Sequence, residues 1–418
     1  MGIPCQRGSH GQGDSPLSQG ESTVSKPMFL RKAQWQFKLS LARLLFGSKS
    51  TAPHFALVGP GSAQHLCRRI VETGHQRLLL VTDKPLRELG VVEQATAGLA
   101  GSGVSIYVYD GVQPDPTFGQ VREGAALLRE HDCSAVLAVG GGSSMDAAKT
   151  IAATRDSQDD PESWVGLNKA PETAAPLYAI PTTAGTGSEA TMGAVITHEA
   201  EQTKNVISGA CMLPTAVALD PDLMLALPPG ITAATGLDAL THGVEAFIGI
   251  WDRGTRTETA RMCIKGVFDW LPRAMANPGD GEARLGMAMA AYYGGVAINQ
   301  VNVGSVHAIA HQLGAFYHLP HGVANAMVLP HLLRVYGAAA VPRLDELAPL
   351  TGTTSAAAAI DAMESLRESV GLPGQSDKIR STDYAAITAR AIEEGDGYFS
   401  PRLLTEADVV QVLEAITA

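Results

Sequence analysis

From about residue 51, short apolar runs alternate with stretches whose apolar residues recur at helical spacing. HFALV, RLLLVTD, VSIYVYD, SAVLAVGGG, LYAIPTT and AVALDPD each read as a strand that closes on glycine, proline, threonine or aspartate. SSMDAAKTIAAT, directly after the glycine triplet, reads as a helix. Strand and helix periods in alternation predict βαβ units and a parallel sheet over residues 51–225. Beyond Pro228 and Pro229 the texture changes. ITAATGLDALTHGVEAFIGI, TETARMCIKGVFDWLPRAMA and EARLGMAMAAYYGGVAI are long helical patterns, so residues 226–418 read as an all-α domain.

The first 50 residues follow neither pattern. Residues 1–25 are rich in Gly, Ser and Gln with almost no apolar period, and a disordered tail is expected. In residues 26–49, Leu30, Ala33, Phe37, Leu41 and Leu44 recur at helical spacing beside six basic residues and no acid. This predicts a basic amphipathic helix. Docking on the protein or on a second subunit is the simpler reading; contact with a membrane surface is the sharper one.

Composition narrows the field. A 418-residue chain that is 45% apolar and 17% charged is long enough for two domains with a sizeable core, which excludes a disordered protein. The net charge of −11 gives no general attraction to phosphate backbones, so nucleic acid is not an expected partner. Five scattered cysteines without CxxC argue against a disulfide framework or a thiolate zinc site and fit a reducing cytoplasm. No uninterrupted apolar window of membrane-spanning length occurs, so no membrane span is expected.

Two loops suit a phosphate-bearing ligand. Gly140, Gly141, Gly142 and Ser143 lie between a predicted strand and a helix that carries Asp146. Glycines admit close backbone approach, and a helix start offers free N–H groups, worth about 0.3–1 kcal/mol to an anion. A plain tight turn explains the triplet alone equally well, and the standard GxGxxG fingerprint is absent. Thr182, Thr183 and Thr186 lie in a second Gly/Thr loop at a strand end, where ligands sit in open α/β sheets. Asp83 closes RLLLVTD. A carboxylate there can accept both hydroxyls of an adenine ribose and would repel a 2′-phosphate, favouring NAD over NADP.

Five of the 12 histidines fall between His307 and His331. His307 and His311 are four apart, as are Asp238 and His242 upstream, so each pair shares a helix face. One carboxylate with several imidazoles suits a divalent transition metal, Fe(II) or Zn(II). Spacing alone leaves open which of His307, His311 and His321 would bind, and His318 and His331 compete.

GGGSSMDAAK, PTTAGTGSEAT, ATGLDALTHGVEAF and HAIAHQLGAFYHLPHGVANAMVLPH together resemble the iron-containing (group III) alcohol dehydrogenases, from about residue 52 to the C-terminus. The resemblance implies a dehydroquinate synthase-like architecture: a Rossmann-like α/β domain that binds NAD and a helical domain that holds one metal. It implies Asp238, His242, His307 and His321 as metal ligands, with His311 facing the nicotinamide and substrate. It places Gly140, Gly141, Gly142 and Ser143 on the pyrophosphate, Asp146 near the nicotinamide ribose, and Thr182, Thr183 and Thr186 along the cofactor. Asp83 matches the adenine-ribose position, and Lys204 a basic position near the cleft. The implied activity is hydride transfer between a small alcohol and NAD, giving an aldehyde or ketone, in a homodimer or larger homo-oligomer. The same scaffold carries alternatives: a polyol or lactaldehyde-type dehydrogenase, a hydroxyacid–oxoacid transhydrogenase, and a catalytically silent scaffold. The extension of about 50 residues departs from the family pattern.

Overall fold

The structure is a computed structural model. It describes residues 27–46, 55–201, 203–251 and 255–418, with 42–46 and 255–256 described by their backbone alone. The expected tail over residues 1–25 lies outside the described residues.

The first five apolar runs form β1 (Ala56–Val58), β2 (Arg77–Val81), β3 (Ser105–Tyr109), β4 (Ala135–Gly140) and β5 (Leu177–Pro181). A hairpin of β6 (Gly193–His198) and β7 (Thr203–Ser208) follows, and the sixth run forms β8 (Ala216–Leu219). The hairpin was not expected from the sequence. Its second strand, TKNVIS, opens on three polar residues and shows neither an apolar run nor a clean alternation. The other six strands pair in the order β1-β8-β5-β4-β2-β3, all parallel. Every residue of β4 and β5 is buried, because helices cover both faces of a parallel sheet. That double burial is why these strands appear in the sequence as unbroken apolar runs.

The strand order determines where a ligand can enter. The chain moves outward from β2 to β3, returns past β2 to β4, and continues through β5 and β8 to the opposite side. The direction therefore reverses between β2 and β4. In open parallel sheets the crevice outside the carboxyl ends at such a reversal receives ligands. Asp83 stands just beyond β2 at that end, and the glycine triplet closes β4.

The helices that build the rest of the site are α1 (Met28–Phe46), α2 (Gly142–Ala153), α3 (Pro229–Ile248), α4 (Gly281–Val301), α5 (Ser305–Tyr317), α6 (His321–Tyr336) and α7 (Tyr384–Gly395). Beyond Pro229 the described residues form helices and no strand. None of the described helices is long and apolar enough to cross a membrane.

Helix α1 docks on the protein, but not by the face that its apolar period suggests. Arg31 and Leu39 are buried, and Trp35 Nε1 donates to the Tyr398 carbonyl at 2.8 Å. Leu30, Ala33, Phe37 and Leu41 point away from the protein, and Phe29 and Phe37 are each 68% exposed. The docked face is held by a guanidinium and an indole that bury their apolar stems while their N–H groups reach partners, a behaviour a hydrophobicity count does not register.

Sheet and helices meet backbone to backbone. Gly187, at φ +61°, lies in the loop after β5; a Cβ there would fall 2.5 Å from the Ala291 carbonyl oxygen and 2.6 Å from Gly295 Cα. A Cβ on Gly295 would fall 2.1 Å from the Gly187 carbonyl oxygen. Two glycines thus let the threonine loop sit directly on α4. Gly187→Ala is expected to destabilise the protein by about 1–3 kcal/mol, from left-handed strain and the forced separation of these backbones. Urea unfolding checks it, the midpoint falling without a change in slope.

Candidate active site

Helical periodicity assembles the polar cluster from three helices. Asp238, His242 and Glu245 follow one another at four and three residues along α3 and share a face. Helix α5 supplies His307 and His311, and α6 opens on His321 with Asn325 one turn later. One ligand atom each from Asp238, His307 and His321 lie within 4.8 Å of one another. His321 Nε2 is 3.5 Å and His307 Nε2 3.8 Å from Asp238 Oδ1. His242 joins through its Nε2, 3.0 Å from that of His307. Asp238, His242 and His307 are buried, whereas the His321 side chain is 30% exposed, so the cluster opens on the His321 side.

The electrostatics favour nitrogen lone pairs around a carboxylate. Burial holds both His307 and His321 well below the ordinary imidazole range. Burial alone would push Asp238 up, but the facing imidazoles of His242, His321 and His307 and a 2.7 Å bond from Asn325 Nδ2 hold it below its usual value. One carboxylate oxygen and three imidazole nitrogens, with no thiolate, form a donor set that fits a divalent transition metal. Asn325 Nδ2 also stands 3.2 Å from Nε2 of both His307 and His321.

Behind the cluster, Glu245 orients His307. Its carboxylate lies 2.6 Å from His307 Nδ1 and accepts the Gly304 and Val306 amides at 2.8 and 2.6 Å. Burial pushes Glu245 up to about 7, against the pull of those two amides. Donors on both oxygens favour a carboxylate that accepts Nδ1–H, which leaves the Nε2 lone pair directed at the cluster. Glycine is required at 304, where a Cβ would fall 2.5 Å from the Glu245 carboxylate.

His311 belongs to a second arrangement. Its Nδ1 is 2.6 Å from Glu394 Oε1, and its ring stacks on His321 with centroids 5.3 Å apart. Gln312 Nε2 and the Tyr398 hydroxyl also donate to Glu394, at 2.9 and 2.7 Å. Burial pushes Glu394 up, but His311 and these donors outweigh it and hold the carboxyl below its usual value. Of the competing histidines, His318 is exposed at the end of α5, and His331 is half-buried near Glu364 and Arg334. Neither joins the cluster.

The two loops singled out in the sequence face each other at the strand reversal. A Cβ on Gly141 would fall 3.3 Å from Thr183 Oγ1, and one on Gly142 2.5 Å from Thr186 Cγ2. The Thr182 amide donates to the Gly140 carbonyl at 2.9 Å. Gly141 caps α2 without a side-chain bond, and Ser143 lies in the first turn, whose leading N–H groups have no partner within the helix. Asp83 caps the short helix Lys84–Glu88 through Oδ1, which accepts the Leu86 amide at 2.9 Å; burial raises its carboxyl. Asp146 is turned into the fold, where it accepts from Ser188 and from the Val195 amide, and Lys149 Nζ stands 3.5 Å away. Lys204 Nζ pairs with Asp115 at 2.6 Å and contributes to lowering His321. The threonine loop also touches α3: a Cβ on Gly185 would fall 2.5 Å from Thr235 Cβ, one helical turn before Asp238.

Sequence reasoning missed Glu245, Asn325 and Glu394. Glu245 and Asn325 left a signal, since each lies three or four residues from a cluster histidine on the same face. Glu394 left none, being 83 residues from His311.

Known proteins resemble the chain over both of its halves. Residues 53–221 match the family described as iron-containing alcohol dehydrogenase, and residues 232–417 match its C-terminal family. The NAD-dependent methanol dehydrogenase of Bacillus methanolicus is 34% identical over 372 residues, covering 87% of this chain and 98% of that protein. A crystal structure of 1,3-propanediol oxidoreductase superposes with TM-score 0.84 at 34% identity, over 88% of this chain and 98% of that one. Sulfoacetaldehyde reductase from Bifidobacterium kashiwanohense, solved in complex with NAD+, superposes with TM-score 0.82 at 27% identity, over 88% and 98%.

Glu245→Gln should weaken divalent-metal binding about 10–100-fold. The amide keeps one acceptor but places a donor against His307 Nδ1, driving the proton to Nε2. Titration of metal-free protein with Zn(II) or Fe(II) reads the effect; unchanged affinity would remove Glu245 from this role.

Proposed function

The chain belongs to the iron-containing alcohol dehydrogenase family, a metal-dependent, NAD-linked class of oxidoreductases, and on that premise we propose a residue-level reading of its reaction. Asp238, His242, His307 and His321 hold the divalent cation, Fe(II) or Zn(II). Gly140, Gly141, Gly142 and Ser143 receive the pyrophosphate of NAD on the free amides of α2. Thr182, Thr183 and Thr186 line the cofactor above Asp146, whose bonds to Ser188 and Val195 fix that floor. Asp83 offers its Oδ2 to the adenine ribose, and Lys204 adds positive charge beside the cleft.

One contact carries the reading. Gly185, in the threonine loop, packs on Thr235 one turn before Asp238. A nicotinamide bound along that loop is thereby brought to the metal ligands. A bound cation would supply Lewis acidity, which lowers the pKa of a hydroxyl held against it. The chain's own contribution is placement and proton handling. Buried Asp238, His242 and His307 close the inner side of the cluster to water, and a small alcohol or aldehyde enters beside His321. His311, oriented by Glu394, stands at that entrance and takes the hydroxyl proton toward solvent in oxidation, or returns it in reduction.

The remaining elements of the reading are a homodimer or larger homo-oligomer and a cytoplasmic setting. The outward apolar stripe of α1, flanked by exposed Lys32 and Lys38 on a chain of net charge −11, suits peripheral contact with an anionic membrane surface.

A panel of short alcohols and aldehydes, assayed with NAD and NADP on metal-analysed protein, tests the reading. Bound Fe or Zn with NAD-linked turnover is expected, and His307→Ala should lose both metal and turnover. Full metal content with full turnover in that variant would remove the cluster from catalysis. Asp83→Gly should raise the NADP/NAD preference about tenfold, corresponding to ~1.4 kcal/mol of relieved repulsion. An unchanged ratio would remove the role given to Asp83.

A further inference from the structure

Helix α1 lies outside both matched regions, which span residues 53–221 and 232–417. Its docked face nevertheless lands on the segment that orients His311. Arg31 grips Asp396 with two parallel bonds, Nε to Oδ2 at 2.7 Å and Nη2 to Oδ1 at 2.6 Å, and Nη2 also donates to the Leu404 carbonyl at 2.9 Å. Asp396 immediately follows α7, two residues after Glu394. One turn along α1, Trp35 Nε1 donates to the Tyr398 carbonyl at 2.8 Å. The hydroxyl of that same Tyr398 donates to Glu394 Oε1 at 2.7 Å, the oxygen that meets His311 Nδ1 at 2.6 Å. A continuous path therefore runs from the Trp35 indole, through the backbone and ring of Tyr398, to Glu394 and His311.

The geometry points to α1 as a strap that positions His311: we propose that Arg31 and Trp35, by fixing the turn from Glu394 to Tyr398, set the orientation of the His311 ring and so the rate of proton transfer. The path is built of strong parts. A bidentate guanidinium–carboxylate pair fixes angle as well as distance. The Arg31 side chain is 7% exposed and Asp396 25%, so water competes weakly for the bonds. Tyr398 is buried, and its hydroxyl and carbonyl tie opposite ends of one residue to the catalytic side and to α1. Freed from α1, the turn would keep its bond to His311 but lose the two anchors that fix its direction. A displacement of about 1 Å near reacting groups can cost on the order of 100-fold in rate. The turn stays covalently joined to α7, so a smaller loss is expected. Arg31 and Trp35 touch neither the metal ligands nor the glycine and threonine loops, so metal and NAD binding should not change.

The inference rests on the role given above to His311, and the experiment separates the two. Trp35→Phe removes only the indole N–H, and Arg31→Met removes the bidentate pair while keeping an apolar stem. Both are made in the full-length, metal-loaded enzyme, alone and in a Glu394→Gln background. With the best alcohol of the panel, kcat should fall about 3–10-fold in the double variant Arg31→Met/Trp35→Phe. KM for NAD, bound metal and the far-ultraviolet circular dichroism should be unchanged. In the Glu394→Gln background the same substitutions should add almost nothing, because the path is already cut at Glu394. A strap that only stabilises the fold gives a different pattern: wild-type kcat below a lowered melting temperature, with the loss of melting temperature adding fully to that of Glu394→Gln. That pattern overturns the proposal, and Trp35→Phe alone decides it if Arg31→Met does not fold. His311→Gln completes the set. If it keeps full turnover, the role of His311 falls and the strap with it; if it loses turnover while the strap variants do not, the strap alone is wrong.

Discussion

Burial of a carboxylate against three imidazoles is the constraint around which the helical half of this protein is organised. A polar group removed from water without a partner costs roughly 1–3 kcal/mol by mutational measures, and a bare charge costs far more. Asp238, His242 and His307 are all buried, and ligand atoms of Asp238, His307 and His321 converge, with His242 reaching His307. The surrounding residues compensate that convergence while keeping lone pairs available to a cation. Asn325 binds Asp238 from one side, and Glu245 takes the outer nitrogen of His307 from the other. Glu245 is itself held by two backbone amides at the start of α5, and Gly304 leaves it the space. The positions of α3, α5 and α6 relative to one another follow from these bonds as much as from the apolar packing between them.

The same constraint explains how the sheet contributes. A parallel sheet offers a ligand crevice at its strand reversal, and Asp83 and the glycine triplet stand there whatever lies beyond it. The crevice becomes part of one site with the cluster only because the threonine loop is pressed onto the helices. Gly187 on Gly295 and Gly185 on Thr235 bring backbone within contact distance of α4 and α3. Side chains at the glycine positions would force these backbones about 1 Å further apart, since each Cβ would fall 2.1–2.6 Å from its neighbour instead of at the 3.4–4 Å of ordinary contact. Hydride transfer needs reacting atoms about 3–3.5 Å apart, so that separation would slow the transfer while leaving each site intact.

How much of this was legible in the sequence depends on whether the information was local. Strands buried on both faces, such as β4 and β5, stand out as apolar runs, and β1 to β5 and β8 could be placed from them. The β6–β7 hairpin could not, because its stability comes from packing on other elements while β7 opens on Thr203, Lys204 and Asn205. In the candidate site, Asp238 with His242 and His307 with His311 share helix faces by simple spacing. Spacing could not divide the labour between His307 and His311. That division comes from Glu245 and Glu394, which lie 62 and 83 residues from their histidines and are brought to them only by the fold. The resemblance to known enzymes implied different places for these two residues without giving a cause.

The N-terminal helix shows a local pattern that specifies a helix without specifying the face by which it docks. Its apolar period runs through Leu30, Ala33, Phe37 and Leu41, yet the docked line is Arg31, Trp35 and Leu39. The reason is energetic. A guanidinium that gains a bidentate carboxylate and a carbonyl, together with an indole that gains a carbonyl, obtains directional bonds in a site of low water access, where charge-assisted bonds are roughly twice as strong as neutral ones. An apolar stripe gains only in proportion to the area it covers, and it gains that equally on any apolar surface. The polar line therefore fixes the helix to one place on this protein, and the apolar line stays free for a surface that needs no particular geometry. One helix can in this way meet a specific partner and a non-specific one on opposite faces, with the specific face lying over the residues that orient His311.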